Sequence, residues 1–433
     1  MVKFCATGDS IIMRPLPEEY KADTALRDFI MQSELRAGNM EMTLSNYDVH
    51  ASTFCGGTWL TGPATLLDEL DYFGFQFYNF ANNHTMDYSY GGLRSTIEAF
   101  KAHGVEWAGA GENLTEASCH KVLRAANGET VGIICATSTS DDTSRAGDAH
   151  GTIPARPGLN LLRHKEVFRV NAQHMQALRE IADATHINGR INNSKKGGYT
   201  LSDPGTFSLG AVTFAEDENE GKSSMPNKVD MVRIAESVRK AKAECDYVVV
   251  IMHSHEIKGE TDNEPDYFIE TFARESIDAG ADAIICSGTH QLKAVELYKE
   301  RPIFYSIGNF IFQSDKIAYL PADFYEKYSI PLHYTAAECL AVRSANGTRG
   351  LQTDINNYLA LVPQLIFDEG KVKEINIQPI ALNFHAENKE LLKGLPTVAD
   401  EADSQRIFDL VAGLSKEYNT ELKLENGLIK VVL

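Results

Sequence analysis

The chain has 433 residues, 43% of them hydrophobic and 23% charged, the proportions of an ordinary soluble globular protein with one elaborated domain or two. Its formal charge of −19, from 41 Lys and Arg against 60 Asp and Glu, argues against nucleic acid as a general partner, because such affinity rests on basic side chains neutralising phosphates. No window approaches the roughly 18 uninterrupted apolar residues of a membrane span. The N-terminus reads straight into a strand without a secretory signal, and the seven cysteines include no C-x-x-C pair, so free thiols and a cytoplasmic location are expected.

Along the first 135 or so residues strands and helices alternate. Val2–Thr7 is a short apolar run ending at Gly8-Asp9. Residues 23–37 have helical spacing, with Leu26, Phe29, Ile30 and Leu35 on one side. A helix is predicted over 64–73, opened by Thr61-Gly62-Pro63, then a strand over 74–81, a helix over 91–103 and a short strand over 105–107. Residues 121–125 and 130–137 flank Asn127-Gly128 as a hairpin. The texture changes from about Ser138 to Pro226, which is rich in Gly, Asn, Ser, Asp and Lys and holds one convincing helix over 165–184. This stretch reads as an insertion, a lid or specificity region.

Alternation resumes with a helix over 228–243, strands over 246–252, 283–286 and 302–306, and a helix over 265–279. The last 120 or so residues hold predicted strands near 336–342 and 372–379 and a helix over 399–418. The whole is α/β, with more antiparallel pairing than a simple doubly wound fold has.

In such folds ligands bind outside the carboxyl ends of strands, so the residues just after each apolar run carry the information. After the first strand comes Asp9. Asn39 and Glu41 follow in Gly38-Asn39-Met40-Glu41, and Asn82-Asn83-His84 with Asp87 follow the strand GFQFYNF. His253, His255 and Glu256 follow YVVVIM, His290 follows AIICSGT, and Asn309 follows PIFYSI. A lone Asp or Asn at a strand end is more often a helix cap. Carboxylate, carboxamide and imidazole groups at six successive exits are instead the ligand set of a hard-to-borderline divalent ion.

The order GDS…GNMEMTLS…FANNHTMDYSYGG…IMHSHE…ICSGTHQLKAVELYKERPIFYSIGNFIF closely resembles the CapA, or poly-γ-glutamate capsule biosynthesis, family of the calcineurin-like metallophosphoesterase superfamily. The resemblance covers residues 1–137 and 228–314, with 138–227 as the insertion and 315–433 as a C-terminal extension completing or flanking the core. It implies a four-layer α/β/β/α sandwich. It also implies one or two divalent metal ions (Mn, Zn, Fe or Mg), held by Asp9, Glu41 as a bridge, Asn83, His253 and His290. His84 would be the general acid, with Asp87 orienting it or capping the next helix, and His255, Asn39 and Asn309 would contact substrate.

Two departures bear on the second metal. Gly288 stands where the family's closing His-x-His pattern has its first histidine, and no histidine follows two residues after Asp9. His255 or Glu256 is the expected replacement.

Gly221-Lys222-Ser223 resembles the end of a P-loop, but Glu216 occupies the position of the required glycine. No G-x-S-x-G elbow is present. Three function classes follow from the resemblance: a metal-dependent hydrolase of a small phosphoester or a γ-glutamyl amide, an accessory protein of capsule-polymer synthesis, and a ligand-binding relative with a degenerate metal site.

Overall fold

The computed structural model describes residues 1–201, 203–385 and 390–433. Two large sheets dominate. In the first, the strands Glu106–Ala108, Phe77–Asn79, Leu35–Met40 and Val2–Ile11 run parallel in that spatial order, and Asn309–Phe312 pairs with the carboxyl end of Val2–Ile11. Beyond Val2–Ile11 the pairing turns antiparallel, through Leu359–Asp368, Lys371–Ala381, Leu428–Val431 and Leu422–Glu425. The second sheet has the order Val295–Tyr298, Arg301–Phe304, Ala283–Gly288, Tyr247–Ser254, Thr130–Thr137 and Lys121–Arg124.

The period-2 geometry of a strand sorts the side chains. Phe4, Ala6, Leu35, Ala37 and Phe77 of the first sheet share an apolar cluster with Ile133, Cys135, Val249, Ile251 and Ile285 of the second. Cys5 points to the other side, into a cluster with Leu93, Ile97 and Phe100 of the helix Ser89–His103. Val248, Val250 and Met252 likewise turn outward to the helices Lys228–Glu244 and Tyr267–Ala279. Two-sided burial of this kind needs near-continuous apolar strands, which is what YVVVIM supplies.

Three sequence expectations change. The run over 23–37 is not one helix: Ala25–Met31 is helical, and Leu35 begins a strand, buried in the inter-sheet cluster on a different face from Leu26 and Ile30. The run over 165–184 splits into the strand His164–Val170, where Val167, Phe168 and Val170 favour extended backbone, and the helix Ala172–Thr185 capped by Asn171. That strand belongs to a small separate sheet with Thr206–Leu209, Val212–Glu216 and Gly221–Pro226.

The strand expected near 336–342 is the helix Ala336–Arg343, started by a capping box between Thr335 and Glu338. Leu359–Asp368, not among the predicted strands, is the strand that joins the C-terminal part to Val2–Ile11. Cys5, Cys135, Cys245 and Cys286 are buried and unpaired. No helix among the described residues is long and apolar enough to cross a membrane.

Candidate metal centre

Parallel register lines up the strand ends. Asp9 sits opposite Asn39 on one side and Asn309 on the other, and Asn39 opposite Asn79. On the second sheet His253 is level with Ser287 and Ser254 with Gly288. The two sheets meet at these ends, where the backbone N–H of Gly288 donates to Asp9 Oδ2 at 3.0 Å.

Around that junction the imidazoles and carboxylates collect. His253 Nδ1 lies 3.5 Å from Asp9 Oδ1, and His253 Nε2 lies 3.5 Å from Glu41 Oε1. His290 Nδ1 is 3.8 Å from Asp9 Oδ2 and 4.0 Å from Glu41 Oε2. Asn83 donates to the Gly56 carbonyl through Nδ2, which fixes its amide so that Oδ1 faces His253 Nε2 at 2.8 Å. Asp9, Glu41, Asn83, His253 and His290 therefore occupy one site.

His255 joins them, with Nε2 at 3.1 Å from His253 Nε2 and 3.9 Å from Glu41. Glu256, the other expected replacement, does not: its carboxylate accepts hydrogen bonds from Ser138, Thr139 and Ser254.

The residues fit a metal centre. Both oxygens of Glu41 are buried and have no hydrogen-bond partner, although a buried unpaired carboxylate is among the costliest groups a fold can hold. Burial, followed by the charges of Asp9 and Asp87, raises the Glu41 pKa well above the ordinary carboxylate range. Burial also works against the charge on Asp9, but the nearby His253 and His290 hold its carboxyl below its usual value. Burial lowers His255 far below an ordinary imidazole, and the neighbouring His253, His290 and His84 add to the effect. The ligand atoms form two triads that share Glu41, namely Asp9–Glu41–His253 and Glu41–His255–His290, each with all its atoms within 4.8 Å of one another. Oxygen and imidazole donors without thiolate suit borderline divalent ions such as Mn, Zn or Fe.

A cleft of about 560 Å³ opens beside this cluster, and His84 and His290 line it. His84 Nδ1 donates to Asp87 Oδ2 at 2.6 Å, leaving Nε2 without a hydrogen-bond partner among the described residues. Asp87 also accepts from the backbone N–H groups of Gly56 and Leu60, at 2.9 and 2.8 Å. One carboxylate thus orients the imidazole and ties down the loop that borders the cleft. Burial raises the Asp87 pKa, with His84 opposing it. Asp87 does not cap the helix Ser89–His103; Tyr88 holds that position without a side-chain cap bond.

Asn39 and Asn309 do not line the cleft as substrate contacts, because their carboxamides are already used. Asn39 donates to Asp9 Oδ1 at 2.6 Å and accepts from Asn79 at 2.8 Å. Asn309 accepts from His290 Nδ1 and donates to the Asn357 carbonyl, both at 2.8 Å. Asn79 and Asn82, which anchor the same network, lay within or beside the polar cluster of the sequence. Arg343, Arg349 and Gln352 of the cleft wall carried no sequence signal, since they lie in the C-terminal part without motifs.

Gly288 has a positive φ of 129°, and a Cβ there would lie 2.5 Å from the Ser254 carbonyl oxygen. A histidine at this position is incompatible with the backbone seen here.

Comparison with known proteins agrees with this architecture. Residues 3–314 match the family model described as bacterial capsule synthesis protein PGA_cap. The y4sH protein of Sinorhizobium fredii, itself uncharacterized, is 30% identical over 98% of this chain and 92% of its own length. The capsule biosynthesis protein CapA of Bacillus anthracis is 28% identical over 55% of this chain and 40% of its own length, and the PGA biosynthesis protein CapA of Bacillus subtilis is 26% identical over a similar span. Among solved structures, GAP50, described as the anchor in the inner membrane complex of Plasmodium, matches at 8% identity and a TM-score of 0.30, too low to inform the fold. With more than half its length matched, the chain belongs to the bacterial capsule synthesis protein family, PGA_cap, within the metallophosphoesterase-like superfamily.

Proposed function

We propose that the protein is a metal-dependent hydrolase that attacks a small phosphoester or a γ-glutamyl amide with an activated water. The observation that carries this reading is Glu41, a fully buried carboxylate with two partnerless oxygens, standing between two sets of ligand atoms. Asp9, Glu41 and His253, with Asn83 Oδ1 beside them, would hold one ion; Glu41, His255 and His290 would hold the other. Divalent ions bound there supply Lewis acidity and lower the pKa of water towards neutrality.

The remaining work falls to the protein. Asn39 holds Asp9 in place, and Asn309 orients the His290 ring through Nδ1. His84 lines the cleft, and Asp87 orients its ring through Nδ1–H; in the imidazolium form Nε2–H can give a proton to the leaving oxygen or nitrogen, and Nε2 is left as the free base. The free buried thiols fit a cytoplasmic setting.

Purified protein loaded separately with Mn, Zn, Fe and Mg should hydrolyse at least one of three substrate classes: aryl phosphomonoesters, phosphodiesters or γ-glutamyl amides. Metal binding without turnover on any class would sink the catalytic reading. It would favour an accessory role in polymer synthesis, the role that the names of the Bacillus relatives suggest.

A further inference from the structure

The cleft beside His84 and His290 has a wall built by a segment beyond the family match, the end of the helix Ala336–Arg343 and the turn after it. Two guanidinium groups come from this segment. Arg343 is half-buried and donates through Nη1 to the Thr58 hydroxyl, in the loop that Asp87 anchors. Arg349 is exposed and donates through Nε to the Arg343 carbonyl at 3.0 Å.

Neither arginine forms an ion pair with a carboxylate among the described residues. Burial lowers the Arg343 pKa, and Tyr328, Asp315 and Cys55 only partly oppose it. An adjoining hollow of about 240 Å³ shares both arginines and adds Lys393; its acid, Asp315, pairs with Lys316 at 3.1 Å, which also pairs with Glu390 at 3.0 Å. A cation at a helix C-terminus is favoured by the helix dipole, which accounts for Arg343 in sequence position. It does not account for two guanidinium groups in one cleft wall that make no ion pair, with the carboxylate of Asp315 near but not in contact, in a chain of charge −19.

We propose that Arg343 and Arg349 form an oxyanion subsite that holds a carboxylate or phosphate group of the substrate. Guanidinium groups match both anions by paired, charge-assisted hydrogen bonds. A γ-glutamyl amide carries such a carboxylate away from the bond to be cut, so the subsite would set its register; a phosphoester would offer its phosphate. That the occupant is a substrate rests on the hydrolytic reading, whereas anion binding by the two arginines does not.

The test is titration calorimetry on full-length, chelator-treated protein, with inorganic phosphate and with glutarate as separate probes at fixed ionic strength. Wild type should bind at least one of them. Arg349→Gln should weaken that binding several-fold, and the Arg343→Gln/Arg349→Gln double variant by tenfold or more, with thermal melting showing each variant folded. Arg343→Lys, which keeps charge but loses the fork, should fall between wild type and Arg343→Gln. Tighter phosphate marks a phosphate subsite and tighter glutarate a carboxylate subsite. Wild type binding neither anion, or equal binding in Arg349→Gln and wild type, overturns the proposal. Because no metal is present, the result is independent of whether the loaded protein hydrolyses anything.

Discussion

Gly288 donates its backbone N–H to Asp9 Oδ2 across 279 residues of sequence, and this bond joins the carboxyl ends of the two large sheets at the cluster of Asp9, Glu41, His253 and His290. The position where the sequence resemblance leads one to expect a histidine therefore still serves the site, through its backbone. Its positive φ and its approach to Ser254 leave no room for a side chain.

Restoring a histidine at 288 should fail for that reason. Gly288→Ala should already cost on the order of 1–3 kcal/mol, the usual scale for a side chain forced into strained backbone. Gly288→His should be no better, and neither variant should gain metal affinity. Thermal melts and metal titrations of both variants check this; a stable, tighter-binding Gly288→His would refute the account.

The two triads sharing Glu41 predict separable sites. His255→Ala should lose one equivalent of metal and keep the other, while Asp9→Asn should lose the opposite one. Glu41→Ala should weaken both. Metal analysis after dialysis against defined free-metal concentrations distinguishes this from a single site, in which all three variants would lose the same equivalent. The His255 site, where Gly288 stands in place of the histidine that the sequence resemblance leads one to expect, should be the weaker in wild type.

His84 and Asp87 should separate proton transfer from metal binding. His84→Ala should lower turnover by about 10²–10⁴-fold, the usual contribution of a general acid, with metal content close to wild type. Asp87→Asn should lower it by about 10–100-fold, since the imidazole loses its tautomer-fixing acceptor and the loop at Gly56 and Leu60 loses part of its anchor. Metal loss in His84→Ala would mean that the ring is a ligand instead.

Glu41 should make the metal-free protein sensitive to pH. Its folded pKa is raised from an ordinary value near 4.5, so between that value and the raised one the native state holds a proton that the unfolded chain has released. Native protein then binds more protons than unfolded, and stability falls as pH rises through this window. Asp9, whose folded pKa is lowered, acts in the opposite sense: its stabilisation is lost as pH falls below its ordinary value near 3.8. Melting temperatures of chelator-treated wild type should thus drop from pH 5.5 to pH 8 by a few degrees more than those of Glu41→Gln. Added metal should reverse the order at pH 8, because it binds the charged carboxylate. Parallel pH profiles for the two proteins would show that Glu41 is already ionised without metal.

The residues that gather in the cluster were legible in the sequence because a strand end is a local event. A continuous, two-sided apolar run gives out towards the carboxyl end of its strand, and Asp9, Glu41, Asn83, His253 and His290 each stand in the last residues of such a strand or shortly after it. The parallel register then places Asp9 level with Asn39 and Asn309 without further instruction.

What only the tertiary structure decided depends on contacts between distant segments. The spacing of Leu35 with Leu26 and Ile30 fits a helix locally, but the inter-sheet cluster claims Leu35 for a strand. Residues 336–343 contain Val342, Leu340 and Cys339, compatible with either state, and the capping box at Thr335 selects the helix that carries Arg343 to the cleft. The amides of Asn39 and Asn309 look like free ligands in the sequence; their partners, Asp9, Asn79, His290 and Asn357, are set by folding. Local chemistry names the groups able to bind metal, while long-range packing determines which of them retain unsatisfied atoms, and an unsatisfied buried atom such as Glu41 Oε1 is what makes a site.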